Sequence, residues 1–207
     1  MQASKEKPGD LCLKPRGPSD AAEMVRLAAR LGYGLLGIEA DDEAWSQAQQ
    51  ACADHGLLCL RRTTIEASTA SEARRELRGI GKHRGIVALR PLGTDAARFA
   101  GRDTRIRLLT GTEAMRYADR SQYRLIRVGG GAVEADLSIV ARGDARYIIR
   151  LMRLCAAHGV PLVMSSCAPD KHGLWHPRSA AALATFAAMP LRIGLEAVYI
   201  APWRVVG

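Results

Sequence analysis

The sequence predicts a single α/β domain folded as a TIM-like (β/α) barrel, and three observations carry that prediction. Short apolar runs alternate with amphipathic stretches of roughly ten residues along the chain, the rhythm of a parallel sheet with crossover helices. No Pro/Gly/Ser-rich linker divides the 207 residues, which suffice for one sizeable core. No GxGxxG follows the first strand, so the open, doubly wound sheet that binds dinucleotides lacks its fingerprint, and the closed barrel is favoured.

Taken in order, residues 1–9 read as a flexible polar tail and residues 10–207 as the barrel domain. Asp10–Lys14 alternates as a first strand, which Pro15 and Pro18 terminate. Ser19 is the expected cap of a helix whose Ala22, Val25, Ala28 and Leu31 form an apolar stripe, closed by Gly32. A second strand is expected over 33–40, and Asp41 or Asp42 starts a helix to His55. The rhythm continues with strands at 57–65, 85–89, 105–109 and 123–128 and helices at 71–80, 94–100 and 111–119. About eight strands result on this reading.

One place breaks the alternation. Gly129, Gly130 and Gly131 separate the strand-like 123–128 from the strand-like 132–140, and a parallel crossover needs about a dozen residues. An antiparallel hairpin or one long bent strand fits the gap, so an irregular or shortened wall is expected around 129–140. Asp144 then caps a helix to His158, with Arg142, Arg146, Arg150 and Arg153 spaced as one basic stripe. That stripe is either a solvated helix face or a face that meets RNA or a partner.

The stretch Gly159–Arg178 reads as one complete βα unit. Pro161–Met164 is a short buried strand, Ser165 and Ser166 stand at its end, and Pro177 presets the first turn of an Ala-rich helix through Ala188. In parallel α/β folds, ligands meet the loop that follows a strand's carboxyl end. Ser165, Ser166, Lys171, His172 and Arg178 therefore fall on the expected working face. Arg178 could reach a ligand or fold back onto Asp170.

Composition narrows the function classes. No apolar run approaches the ~18 residues that cross a membrane, and no signal peptide is visible, so a cytoplasmic protein is expected. The cysteines at 12, 52, 59, 155 and 167 lack CxxC pairs, the usage of a reducing compartment without a disulfide frame or zinc site. Formal charge is +9, and between Arg61 and Arg127 there are 16 Lys/Arg against 7 Asp/Glu. Arginine outnumbers lysine 25 to 5 and the chain has no Asn, so a nucleic-acid footprint competes with GC-rich coding and heat adaptation as the cause.

Strand, Ser165-Ser166-Cys167-Ala168, a short loop, Pro177-Arg178 and an Ala-rich helix together resemble the C-terminal signature of the thirty-kilodalton protein subunit of ribonuclease P from archaea and eukaryotes. Shorter matches lie at Asp10-Leu11, Leu31-Gly32-Tyr33, Arg61–Ile65 and Val87–Pro91, so the resemblance runs from about Asp10 to Val206. Trp175 and His176 depart from it, standing where the family usually has Arg and an apolar residue. The family usually has a full helix at the 129–140 junction. It also resembles a degenerate branch of the metal-dependent phosphoesterases named after polymerase and histidinol phosphatase. Those ligate metals through His-x-His after the first strand and Asp-x-His after a late one. Here the places read Asp10-Leu11-Cys12 and Ser166-Cys167-Ala168, so no catalytic residue, bound metal or cofactor of the protein itself is expected.

The resemblance implies an RNA-binding subunit that supports RNA-catalysed removal of 5′ leaders from precursor tRNA, with Mg²⁺ serving the RNA. The implied partners are ribonuclease P RNA, precursor tRNA and a small α/β protein subunit, with no membrane. Arg62, Arg90, Arg107, Arg127, Ser165, Ser166, Lys171 and Arg178 are the candidate RNA or phosphate contacts. The alternative is a barrel phosphoesterase, with Arg62, Arg90 and Arg127 clamping a small phosphorylated substrate. Glu134 and Asp136 share a strand face, either as paired carboxylates or as neutralisers of arginines.

Overall fold

The computed structural model describes residues 7–80 and 85–207. Seven parallel strands follow one another in chain order around a nearly closed barrel: β1 (Gly9–Leu13), β2 (Leu35–Ile38), β3 (Leu58–Ala67), β4 (Ile86–Pro91), β5 (Ile106–Leu109), β6 (Ala132–Asp136) and β7 (Leu162–Ser165). The ring meets where β1 and β7 lie side by side, joined by a parallel bridge between Leu13 and Ala168 and by the Lys14 N–H donating to the Ala168 carbonyl at 2.8 Å. β3 is the longest strand; its first half pairs with β2 and its second half with β4, which staggers the wall as barrel closure requires.

The outer layer is built from α1 (Pro18–Arg30), α2 (Asp42–His55), α3 (Ala70–Gly79), α4 (Thr94–Ala100), α5 (Glu113–Tyr117), α6 (Arg120–Val128), α7 (Leu137–Ala141), α8 (Ala145–His158), α9 (Pro177–Phe186) and α10 (Leu191–Leu195), and α11 (Ala201–Val206) lies under the barrel. Side-chain caps fix several starts: Asp41 accepts from the Ala44 N–H, Asp144 from the Tyr147 N–H, and Thr69 with Glu72 forms a reciprocal capping box. Ser19 is not a cap. Pro18 takes the first helical position, so α1 begins two residues earlier, after an extended Gly17.

The expected strand at 123–128 is the helix α6, and no hairpin follows it. Asp119 accepts from the Ser121 and Gln122 N–H groups while Gln122 returns to the Asp119 N–H, a capping box that nucleates a helix. Gln122, Tyr123 and Ile126 are buried and Arg120, Arg124 and Arg127 face water, a 3.6-residue period. Gly130, at φ +75°, ends the segment. β6 runs parallel to both β5 and β7 and stops at Asp136, whose carboxylate caps α7 through the Ser138 N–H at 2.9 Å. The wall around 129–140 is therefore regular, and α5 with α6 supplies the crossover.

Two further expectations change. Residues 7–9 are tied down: Gly34 N–H donates to Pro8, Trp203 Nε1–H donates to the Lys7 carbonyl at 2.7 Å, and Gly9 opens β1. Residues 1–6 of the expected tail lie outside the described residues. Cys52 and Cys59 form a disulfide joining the last turn of α2 to β3, where the scattered spacing pointed to free thiols. No helix among the described residues is long and apolar enough to cross a membrane.

The strand period of two sorts side chains into an inner and an outer set. Outward residues such as Val87, Leu89, Val133, Ala135, Leu162 and Met164 pack under the helices. Inward residues Leu11, Leu35, Ile86, Ala88, Leu108, Ala132 and Val163 fill the lower barrel, and Ala201 and Val205 of α11 plug its base. Gly37 sits where a Cβ would overlap the backbone carbonyl of Leu11 on the neighbouring strand. Gly37→Ala should therefore push β1 from β2 and lower stability by about 2–3 kcal/mol in urea unfolding. An unchanged unfolding midpoint would show that β1 is free to shift.

Candidate functional site

Stepping two residues up each strand from the apolar layer reaches a polar one. Ala132 gives way to Glu134, Leu108 to Thr110 and Val163 to Ser165, and Arg62 projects from β3 into the same level. The Arg62 guanidinium clamps both Glu134 oxygens, Nη1 to Oε1 at 2.6 Å and Nη2 to Oε2 at 2.7 Å, and also donates to the Leu11 carbonyl at 2.7 Å. Thr110 Oγ1 donates to Glu134 Oε2 at 2.7 Å. Glu134 has no exposed surface and Arg62 only 2 %. Burial opposes ionisation of Glu134, yet the charge and hydrogen bonds of Arg62, helped by Thr110 and Ser165, hold the carboxyl below its ordinary pKa. Glu39 supports the pair through Thr64, accepting from the Thr64 N–H and Oγ1 at 2.9 Å, while Thr64 Oγ1 accepts from Arg62 Nε.

Ser165 and Ser166 belong to the closing seam and do not face solvent. Ser165 Oγ accepts from the Leu11 N–H at 3.3 Å, and the Ser166 N–H donates to both oxygens of Asp10 at 3.1 and 3.2 Å. Asp10 also accepts from the Cys12 N–H. One carboxylate thus serves backbone groups of both edge strands where the β ladder itself is sparse. Burial raises the Asp10 pKa to about 6, against the lowering pull of these hydrogen bonds and with a further push from nearby Glu134.

The metal positions of the distant phosphoesterases bear on the same place. Cys12, Cys167 and Glu134 bring two thiols and a carboxylate within 4.8 Å of one another, all buried. This donor set does not fit a hydrolytic metal. It contains no histidine, both Glu134 oxygens already serve Arg62, and burial drives the Cys167 thiol upward, away from the thiolate that a metal needs. The resident cation of the barrel is the guanidinium.

The other residues singled out in the sequence do not converge. Arg62 is buried with both ends of its guanidinium on Glu134, so it offers an RNA phosphate no surface, and Ser165 and Ser166 are equally buried, the Ser166 hydroxyl without a hydrogen-bond partner among the described residues. Arg90 pairs with Glu66 at 3.0 Å, and Arg107 donates to the Val205 carbonyl at 2.8 Å, securing α11. Lys171 pairs with Glu23 at 2.8 Å. Asp170 pairs with Arg16, so it is not the partner of Arg178, whose side chain is exposed. Arg142 lies in the turn before α8 and donates to Ser138 Oγ, leaving Arg146, Arg150 and Arg153 as the exposed stripe. Arg127 stands on α6, at the opposite end of the barrel from Arg90. Arg62, Arg90 and Arg127 therefore form no common clamp.

Two residues that the sequence reading missed, Arg120 and Arg124, lie on α6 beside Arg127. Arg120, Arg124 and Arg127 line a cleft of about 620 Å³ with His158 at the end of α8, and none of the three arginines has a hydrogen-bond or ion-pair partner among the described residues. The capping box D-x-x-Q at Asp119–Gln122 was the available signal.

Two outcomes test the interior. Removing one partner of the buried pair, as in Glu134→Leu or Arg62→Met, should cost about 3–5 kcal/mol, whereas the double variant R62M/E134L should regain much of that loss. Additive losses in chemical unfolding would mean the two groups act separately. For Asp10 the folded pKa lies above the unfolded one, so the folded state binds the extra proton between them. Its contribution is present below pH about 4 and lost as pH rises through about 6, an effect of up to ~3 kcal/mol. The stability difference between wild type and Asp10→Asn should shift by that amount across the window; a pH-independent difference would refute the assignment.

Comparisons with known proteins agree on where the chain falls. It is similar to ribonuclease P protein component 3 of Aeropyrum pernix, at 29 % identity over 191 residues, spanning 87 % of this chain and 88 % of the relative. It is also similar in fold to a chain in a cryo-EM structure of archaeal ribonuclease P with mature tRNA, with a TM-score of 0.74 over 89 % of this chain and 86 % of that one, at 16 % identity. The model of the family described as RNase P subunit p30 matches residues 8–207. The chain, whose barrel centre holds an arginine–glutamate pair where a hydrolase would hold metals, belongs to the RNase P subunit p30 family.

Proposed function

We propose that this chain is an RNA-binding protein subunit of a ribonuclease P whose catalyst is the RNA, acting in the removal of 5′ leaders from precursor tRNA. The observation that carries the reading is the sealed polar layer. Both carboxylates that could perform hydrolysis at the barrel centre are already engaged, Glu134 by Arg62 and Thr110, and Asp10 by the backbone of the seam. A protein built this way contributes surface, and its surface is rich in exposed guanidinium groups. Arg127, Arg146, Arg150, Arg153 and Arg178 have no partner among the described residues, and they supply the phosphate contacts from which nucleic-acid affinity comes.

Membership of the family and likeness to a chain seen with mature tRNA support ribonuclease P RNA and precursor tRNA as partners. The same reading assigns Mg²⁺ to the RNA, a small α/β subunit as a protein neighbour, and the cytoplasm as the place of work. The phosphoesterase alternative finds no support, because its three clamp arginines sit at separate levels of the molecule.

Cleavage of precursor tRNA by a reconstituted mixture of ribonuclease P RNA, this chain and its partner subunits decides the matter. Activity should require Mg²⁺ and disappear when the RNA is digested beforehand with micrococcal nuclease. The isolated chain should release no phosphate from p-nitrophenyl phosphate. Cleavage by the protein without RNA, abolished in Glu134→Gln, would overturn the proposal.

A further inference from the structure

Among the described residues, three arginines without a partner gather in the cleft between α6 and α8. Residues 116–153 contain eight arginines and no lysine. The four carboxylates of that stretch are all engaged within the fold: Asp119, Asp136 and Asp144 cap α6, α7 and α8, and Glu134 is bound to Arg62. Arg120, Arg124 and Arg127 follow at intervals of four and three, so they share one helix face, spread over roughly 10 Å at 1.5 Å per residue. The fourth wall is His158, whose ring stacks on Tyr123 with centroids 5.6 Å apart and planes 10° from parallel. Tyr123 is itself fixed through its hydroxyl, which donates to the Ala114 carbonyl at 2.9 Å. The imidazole is thus held at the cleft by a buried anchor.

We infer that this cleft, with Arg120, Arg124, Arg127 and His158, binds the sugar–phosphate backbone of RNA across two or three consecutive phosphates. The inference rests on the RNA-binding reading above and deepens it. Three guanidinium forks in a row suit bidentate phosphate contacts, and the one carboxylate in the lining, that of Asp119, is occupied by the Ser121 and Gln122 N–H groups. The lining also argues against a protein partner, since Ala157 is its one apolar residue and a protein interface needs an apolar core around its charged rim.

The test is fluorescence anisotropy with a labelled oligouridylate of roughly 20 nucleotides, titrated across salt concentrations. The triple variant R120A/R124A/R127A should bind on the order of fiftyfold more weakly near 0.15 M salt, with the slope of log K against log salt reduced by about 2, as three lost phosphate contacts require. Its thermal unfolding midpoint should match that of wild type, because all three side chains are exposed. R120K/R124K/R127K should keep the slope while losing part of the affinity, since charge remains and the fork does not. R26A/R30A/R78A, which removes three exposed arginines elsewhere, should stay within about threefold of wild type.

Wild-type affinity and slope in R120A/R124A/R127A would overturn the cleft while leaving the RNA-binding reading intact. Equal loss in R26A/R30A/R78A would also overturn it, as a sign of general charge. If polyglutamate bound wild type but not R120A/R124A/R127A, and RNA bound both alike, the cleft would belong to an acidic protein instead. Failure of wild type to bind RNA at all would remove the RNA-binding reading and this inference together.

Discussion

The Arg62–Glu134 pair sets the terms for the whole interior, because a guanidinium inside a barrel must be neutralised and hydrogen-bonded or the fold does not hold. Its consequences spread through the wall. Glu134 has to sit one step above Ala132 on β6, Thr110 one step above Leu108 on β5, and the Leu11 carbonyl has to turn toward Arg62 from β1. β3 is thereby held at a common height with β1, β5 and β6, none of which it neighbours in the sheet. Apolar residues would fill the same volume with less desolvation, so the pair specifies register more than it adds stability.

Closure of the ring is a separate problem, and the sequence solves it with side chains. Between β1 and β7 the backbone offers little more than the Leu13–Ala168 bridge. Asp10 and Ser165 supply the missing acceptors by taking N–H groups from the opposite strand. The serines that sequence reasoning placed on a working face are therefore structural. Their position at a strand end was read correctly, and only their burial was not legible, because one sequence does not say which two strands will meet.

Most of the fold was legible because its signals are local. Strand and helix alternation, the caps at Asp41 and Asp144 and the terminators at Gly32, Gly56 and Gly159 are all encoded within a few residues. The misreading at 123–128 is informative: Tyr, Leu, Ile and Val favour strands by composition, whereas their spacing, with buried Tyr123 and Ile126 opposed by Arg120, Arg124 and Arg127, obeys the helical period. Periodicity and the capping box outweighed propensity, and that one exchange restored the crossover that the three glycines had seemed to remove. The Cys52–Cys59 disulfide was hidden for the opposite reason, since it depends on how α2 returns onto β3.

Charge is where a count and a structure differ most. The excess of Lys and Arg between Arg61 and Arg127 marks that stretch as basic, yet the arginines at 61, 62, 75, 90 and 105 each face a carboxylate, and Arg107 is bound to a carbonyl. Electrostatic attraction for a polyanion comes from charge that the fold leaves uncompensated. That remainder is concentrated on α6 and α8, where every acidic residue between positions 116 and 153 caps a helix or is locked in the core. Capping uses the carboxylate at the helix start, where it complements the dipole, and leaves the arginines further along the helix without a partner. The same acids that make these helices stable thus keep their arginines available.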